Sequence, residues 1–469
     1  MAGVLPCRKN LLYIMTELSK PRKKRRRLKK SVRRGCLGIV LTALLFIVLS
    51  VYDCRRDTRQ AGIPLVVQPD SLPDTRDSVL AQRLARVVAR TPRIDSAHVG
   101  LMVYDLTHRS EIFHHHSNEL MTPASCQKLL TALSAIRRLG IGHSYVSRLL
   151  VNGEESDSTL RGTLIVSMDD DPLIDSFDRF VDALWRRGIR RIEGHIVFDL
   201  ARRDTLRPHP TAPSWDIPYG KLPMLMRGET YVKRQFMDAL SARGIRFQRN
   251  PDIGGEWVKA LSHERPAREY VLAMNVARMC SREVYSVVHP LREVLAPMLI
   301  YSSNIKAEAV YYHTDHFLDR RSDTRAGEGS AMRHFVKHEV KGIVRPDMVI
   351  NDGSGLSPQN RMTADFLIKL LKYAYDDPLL RQEMMDCLLA TTADEERRGT
   401  LYGRMNDECF EGRVFCKTGT LAARAVSSLA GYLLGEDGRW YAFAILNEET
   451  PIFEAREFQD AVCRSLIEQ

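Results

Sequence analysis

The chain lacks any CxxC pair, although nine cysteines are scattered through its 469 residues: Cys7, Cys36, Cys54, Cys126, Cys280, Cys387, Cys409, Cys416 and Cys463. That absence argues against a zinc ribbon and a thioredoxin-type redox motif. No HExxH accompanies His114-His115-His116 or the pair His313 and His316. The triple therefore reads as a solvated hairpin, and neither a catalytic metal nor a cofactor is expected. Internal repeats and long low-complexity tracts are missing, apart from one basic block. Acids are missing from 18 to 52, where eleven bases (Lys20, Arg22, Lys23, Lys24, Arg25, Arg26, Arg27, Lys29, Lys30, Arg33 and Arg34) stand together. The formal net charge is +11, so removing this block leaves the rest near neutral. A nucleic-acid partner for the body of the chain loses its main support.

Directly after the block comes GCLGIVLTALLFIVLSVY, residues 35–52. This run is about long enough to span a bilayer core as a helix, and its basic N-terminal flank orients it with the tail in the cytoplasm. The alternatives are a cleaved signal peptide or a nuclear-localisation tract beside a buried helix. No small-x-small cleavage site precedes Asp53, and Val51-Tyr52-Asp53-Cys54 is a poor lipoprotein box. The expectation is an uncleaved signal anchor in the cytoplasmic membrane, with everything from Asp53 onward exported to the periplasmic side. Met15 is an alternative start. Six cysteines lie beyond Cys54 in a compartment that permits disulfides, and the sequence does not pair them.

Residues 53–75, with Pro64, Pro69 and Pro73, read as a linker. Apolar spacing predicts a helix over 78–90, a strand over 98–105 and its hairpin partner over 111–116. A strong helix is expected over 121–140, with Thr122 as cap, Pro123 in the first turn and Gly140 at the end. Short strands within SRLLVNG, GTLIVSM and GHIVFD, with a helix near 177–187, read as an inserted α+β domain. Helices follow over 291–313, 364–375 and 379–389. Strands follow over 413–418, 427–434 and 440–447, before a closing helix from Phe453. The expected layout is a basic tail at 1–34, an anchor at 35–52, a linker at 53–75, a catalytic part at 76–144 and 265–469, and an insertion at 145–264.

Three short motifs carry chemistry: Ser125-Cys126-Gln127-Lys128, Ser302-Ser303-Asn304 and Lys417-Thr418-Gly419. A serine hydroxyl is a weak nucleophile and needs a base. On a helix, i and i+3 share a face, so Lys128 sits over Ser125, and a partly buried lysine can serve as that base. The chain holds a second SxxK, Ser303-Asn304-Ile305-Lys306. Ser125 is preferred because its helix is capped and apolar, and because it precedes the other motifs. Taken alone, Ser302-Ser303-Asn304 reads better as a polar helix start. Strand alternation places Lys417 and Gly419 on one face of an edge strand. Lys417 then offers charge to a carboxylate, Thr418 a hydroxyl, and Gly419 room for close approach. The N–H groups of Thr420 and Ser125 are candidates for an oxyanion hole. Asn351-Asp352-Gly353-Ser354-Gly355-Leu356-Ser357 reads only as a tight glycine loop.

With these residues in view, the chain resembles the class C low-molecular-mass penicillin-binding proteins, the DacB-type D-alanyl-D-alanine carboxypeptidases and endopeptidases. Pro123-Ala124-Ser125 with Lys128-Leu129-Leu130-Thr131-Ala132 is similar to the family's nucleophile helix. The glycine loop with Asn360, Arg361 and Thr363-Ala364 matches its glycine-serine loop, and Gly399-Thr400-Leu401 with Arg404-Met405 precedes Lys417-Thr418-Gly419-Thr420-Leu421 as it does there. Ser427-Ser428-Leu429-Ala430-Gly431-Tyr432 follows as expected. The resemblance implies an α/β (α+β) transpeptidase-like domain of the penicillin-binding-protein and serine β-lactamase type, carrying an inserted α+β domain. It implies a serine D-Ala-D-Ala carboxypeptidase, with endopeptidase action as a second activity, working on peptidoglycan stem peptides and acylated by β-lactams. By the same resemblance Ser125 acylates, Lys128 is the base, Ser302 relays a proton and Asn304 orients substrate. Lys417 and Thr418 bind the terminal carboxylate. Ser303 stands where the family usually has Asp. Met168-Asp169-Asp170-Asp171-Pro172 stands where it has Gly-Gly-Gly-Asp-Pro; Asp171 matches the acid that reads the amino end of the diaminopimelate side chain. Pro358 replaces the family's Arg after Gly-Leu-Ser, and Arg361 is the candidate to compensate. The rival reading is a catalytically silent wall-binding protein that keeps the fold.

Overall fold

The computed structural model describes residues 75–212, 220, 222–247, 280–319, 330–340 and 347–468, all within the compact unit Thr75–Gln469. The basic tail, the apolar run at 35–52 and most of the linker lie outside the described residues, as does the whole stretch from 248 to 279. Among the described residues no helix is long and apolar enough to cross a membrane.

The chain begins with α1 (Thr75–Arg90), whose Leu80, Leu84 and Val88 recur every four residues and are buried. The hairpin β1 (Val99–Asp105) and β2 (Ser110–His115) follows, then α2 (Lys128–Leu139). The next elements are β3 (Ser144–Ser156), β4 (Thr159–Met168), α3 (Asp178–Arg186), β5 (Arg191–Leu200), α4 (Glu229–Ala242), β6 (Arg246–Phe247) and β7 (Arg282–Pro290). Helices α5 (Leu291–Ile300), α6 (Asn304–Asp319), α7 (Ser330–His338), α8 (Ala364–Asp376) and α9 (Pro378–Cys387) come after them. The chain closes with β8 (Leu389–Ala390), β9 (Val414–Leu421), β10 (Val426–Leu434), β11 (Trp440–Asn447) and α10 (Ile452–Ile467).

One sheet has the order β2-β1-β11-β10-β9-β8 and is antiparallel throughout. Alternation along β11 explains its layering. Tyr441, Phe443 and Ile445 face one core with α1 and α10, while Ala442, Ala444 and Leu446 face the other with α2 and α8. Both faces are covered, so the strand reads as an unbroken apolar run. Each fully buried Leu or Phe here contributes roughly 1.5–3 kcal/mol.

The second sheet has the order β6-β5-β4-β3-β7 and is mixed, with β4-β5 and β5-β6 parallel through α3 and α4. Its core includes Phe177, Phe180 and Phe236. Gly153, Gly162 and Gly194 share one rung of β3, β4 and β5. Their φ values are +147°, +153° and +138°, and a Cβ at each would lie 2.0–2.2 Å from a neighbouring carbonyl oxygen. Only glycine fits such a rung.

Two expectations change, the start of the helix after Ser125 and the place of β7. The helix predicted from 121 to 140 begins at Lys128: Met121 bridges to Met362 instead, and Ala124–Gln127 is a 3₁₀ turn. Thr122 does not cap it but accepts from Arg361 Nη1 at 2.9 Å. The helical stretch over 291–313 consists of α5 and α6, separated at Tyr301–Ser303, where Ser302 has φ +57°. β7, placed in the catalytic part by the boundary at 264, pairs with β3 in the second sheet.

Candidate active site

The 3₁₀ turn Ala124–Gln127 runs straight into α2. With three residues per turn, positions i and i+3 eclipse, which lines Lys128 up beneath Ser125. The turn is anchored by Pro123 O, which accepts from Cys126 N at 3.1 Å and from Ser428 Oγ at 2.7 Å. Ser125 is half-buried; Lys128 is fully buried.

Lys128 Nζ donates to Ser125 Oγ at 2.9 Å, Asn304 Oδ1 at 2.8 Å and Ser354 O at 2.7 Å. Burial holds its pKa well below the usual lysine range, and the positive charge of Lys417 pushes the same way, against the carboxylates of Asp352 and Glu308. A lysine in this state can accept the serine proton. The break before α6 turns Asn304 inward as the first residue of that helix. Ser302 lies in the break itself; the three Lys128 acceptors are Ser125, Asn304 and Ser354.

The glycine-serine loop is fixed by two buried carboxylates. Asp352 accepts from Gly355 N at 2.7 Å, Ser357 N at 2.6 Å, Asn360 Nδ2 at 3.0 Å and Gln127 Nε2 at 3.1 Å. Glu308, on α6, accepts from Ser354 N at 2.9 Å and Gly353 N at 3.3 Å. Burial first, then Asp352, raises the Glu308 pKa to about 7. A Cβ on Gly355, at φ +79°, would lie 1.9 Å from Ala124 O, so glycine lets the loop lie against the serine turn.

β9 borders the site from the other side. Gly419 lies against the serine: a Cβ there would sit 3.0 Å from Ser125 N and 2.1 Å from Ser428 Oγ. The Ser125 amide is thus flanked by the Gly419-Thr420 backbone. β8 pairs only Leu389 with Cys416 and Ala390 with Phe415. From Lys417 onward the outer edge of β9 has no strand partner among the described residues, leaving main-chain groups for an extended peptide. Lys417 is fully buried, with Nζ donating to Thr418 O at 2.8 Å. Burial pushes its pKa down to about 8. The Thr418 hydroxyl meets that of Thr400 at 2.5 Å.

The structure brings Ser125, Lys128, Asn304, Lys417, Thr418, Gly419 and Thr420 around one turn. Asp171 is not among them. It is buried at the edge of the second sheet, accepting from His289 Nδ1 at 2.6 Å and Leu173 N at 2.9 Å. Burial raises its pKa, and its carboxylate acts on half-buried Lys306 of α6. Arg361 is held by Thr122, Pro358 O and Asn360 O. His313 meets His143 at 3.0 Å and His114 bonds Glu111. Cys126, Cys387, Cys409, Cys416 and Cys463 are free thiols, all but Cys409 buried. A cleft of about 930 Å³, lined by residues including Arg202, Arg207, Arg227 and Tyr312, includes no residue of the serine set. Sequence reasoning missed Glu308, although its i+4 spacing from Asn304 puts both on one face of a helix.

The layered α/β body and this serine–lysine pair define a penicillin-binding-protein-like fold. Penicillin binding protein 4 (dacB) from Haemophilus influenzae has a TM-score of 0.59 and 18% identity, over 82% of this chain and 97% of that one. The same protein complexed with a novel β-lactam gives 0.58 and 19%, over 80% and 98%. The chain belongs to the D-Ala-D-Ala carboxypeptidase 3 (S13) family, whose model matches residues 80–222 and 279–468. It is 33% identical over 182 residues to a D-alanyl-D-alanine carboxypeptidase of Actinomadura sp. (strain R39), a stretch that covers 38% of this chain and 32% of that relative. The aligned stretch thus spans about a third of that relative's length.

Proposed function

We propose that the protein is a serine D-Ala-D-Ala carboxypeptidase of peptidoglycan stem peptides, with endopeptidase action on cross-bridges as its second activity. The observation that carries this reading is the 2.9 Å contact between Ser125 Oγ and a Lys128 ammonium destabilised by burial. Neutral Lys128 takes the Ser125 proton as Oγ attacks the D-Ala carbonyl. The N–H groups of Ser125 and Thr420 hold the oxyanion. Ser302 relays the proton to the departing D-alanine amine, and water then resolves the acyl-enzyme. Asn304 orients the peptide. Lys417, through its charge, and Thr418 favour the terminal carboxylate. Asp171 contributes through Lys306 and His289. The anchor at 35–52 holds the enzyme to the cytoplasmic membrane with its catalytic part outside, and the insertion forms a separate α+β lobe.

Fluorescent penicillin should label the wild-type protein, and Ser125→Ala should abolish labelling. Persistent labelling would move the nucleophile, with Ser303 next to test. Monomeric and cross-linked muropeptides, with and without penicillin, separate carboxypeptidase from endopeptidase products. Absence of both activities would favour the silent wall-binding reading. Protease protection of the N-terminal tail in intact cells tests the anchor.

A further inference from the structure

The carboxypeptidase reading demands a cation that meets the free carboxylate of the leaving residue. Lys417 is fully enclosed, and its Nζ donates to Thr418 O. It can act on the carboxylate through its field from beneath the strand. An exposed cation stands beside the same strand: Arg456 of α10, whose Nη2 donates to Thr420 Oγ1 at 3.4 Å. Thr420 is next to Gly419, the residue pressed against the Ser125 amide. In a D-Ala-D-Ala peptide the carboxylate carbon is three bonds from the scissile carbonyl, so it falls within about 4 Å of it. An arginine side chain beside Thr420 has the length to reach that point.

The surroundings of Arg456 favour an anion. Asp460, one turn ahead on α10, is bonded by Arg404 Nε at 3.1 Å. Glu454, two residues before, pairs with Arg93 at 3.2 Å. Glu454 and Asp460 are therefore engaged by other arginines, while the third nearby acid of the helix, Glu457, is exposed to solvent. Partial desolvation and the Arg404 charge both disfavour the Arg456 cation, and Asp460 offsets them only in part. A carboxylate arriving along the open edge of β9 would balance this excess and match the fork of donors on a guanidinium.

We propose that Arg456 is a specificity-determining residue that reads the carboxylate of the leaving group, with the Thr420 hydroxyl as the second donor. This deepens the carboxypeptidase reading and rests on it. The test compares kcat/KM for an acyl-D-Ala-D-Ala peptide and for its C-terminal carboxamide. Wild type should prefer the acid. Arg456→Ala should lose about tenfold to a hundredfold on the acid, mainly in KM, and little on the amide, so that the preference collapses. Arg456→Lys should recover part of it. Acylation rates with penicillin G and its methyl ester give the same comparison without peptide turnover. Wild type that acylates with penicillin but cleaves neither peptide would sink the peptidase reading, with the acid-to-ester ratio still deciding Arg456. An unchanged acid preference in both assays, in an Arg456→Ala protein with wild-type melting, overturns the assignment.

Discussion

Lys128 owes its reactivity to what surrounds it. Enclosed with Lys417 nearby, it is pushed toward its neutral form, while Asp352 and Glu308 limit the shift. The acylation rate should fall as pH drops through the depressed Lys128 pKa, because the protonated amine cannot take the serine proton; stopped-flow penicillin acylation against pH reads this. Lys417 should show on the alkaline side. Its pKa is about 8, so raising the pH past that point removes its charge, and KM for the acid peptide should rise while KM for the carboxamide stays flat. Glu308 sets a stability signature. Its folded pKa of about 7 lies above the ordinary 4.5, so the folded state keeps a proton that the unfolded chain has lost. Stability from this group is full below about 4.5 and declines as pH rises to about 7. Glu308→Gln should flatten that decline in urea denaturation at the two pH values. Among single residues, the Ser125–Lys128 pair was legible because its spacing is local. Arg456 was not, because only the tertiary fold brings it to Thr420.

Strands were easier to read than helix starts. β9, β10 and β11 follow their apolar runs, since both faces are buried and nothing competes with the pattern. The helix expected to run through the first catalytic motif starts late, and the second motif falls at a break between two helices. Ala124 at φ +46° and Ser302 at φ +57° adopt left-handed backbone that periodicity cannot signal. Tertiary contacts hold them there: Pro123 O is taken by Ser428 and Cys126, and Gly355 packs on Ala124. Such strain at a working site is tolerated where the surroundings over-determine it. Gly355→Ala should therefore displace the serine turn, slow penicillin acylation at least tenfold and destabilise the fold by about 1–3 kcal/mol. Labelling kinetics and thermal melting check both effects.

At the scale of the molecule, the boundary read at 264 falls before the strand that closes the second sheet. The chain enters the second sheet at Ser144 and leaves it at Pro290, which pair with each other, and Leu291 N donates to His143 O at 2.9 Å. A boundary at 264 missed this because β7 closes on β3 through sheet pairing, which local composition does not encode. Helix α6 spans the seam: Ala307, Val310 and Tyr311 pack in one core, Ile305 and Ala309 in the other. Excising residues 146–288 should not yield a minimal enzyme, and penicillin labelling of the excised protein should be lost. The same helix begins with Asn304. Two separately packed interiors thus hold one beam, and the amide at its tip takes its place from both, so wear in either interior is felt at the serine.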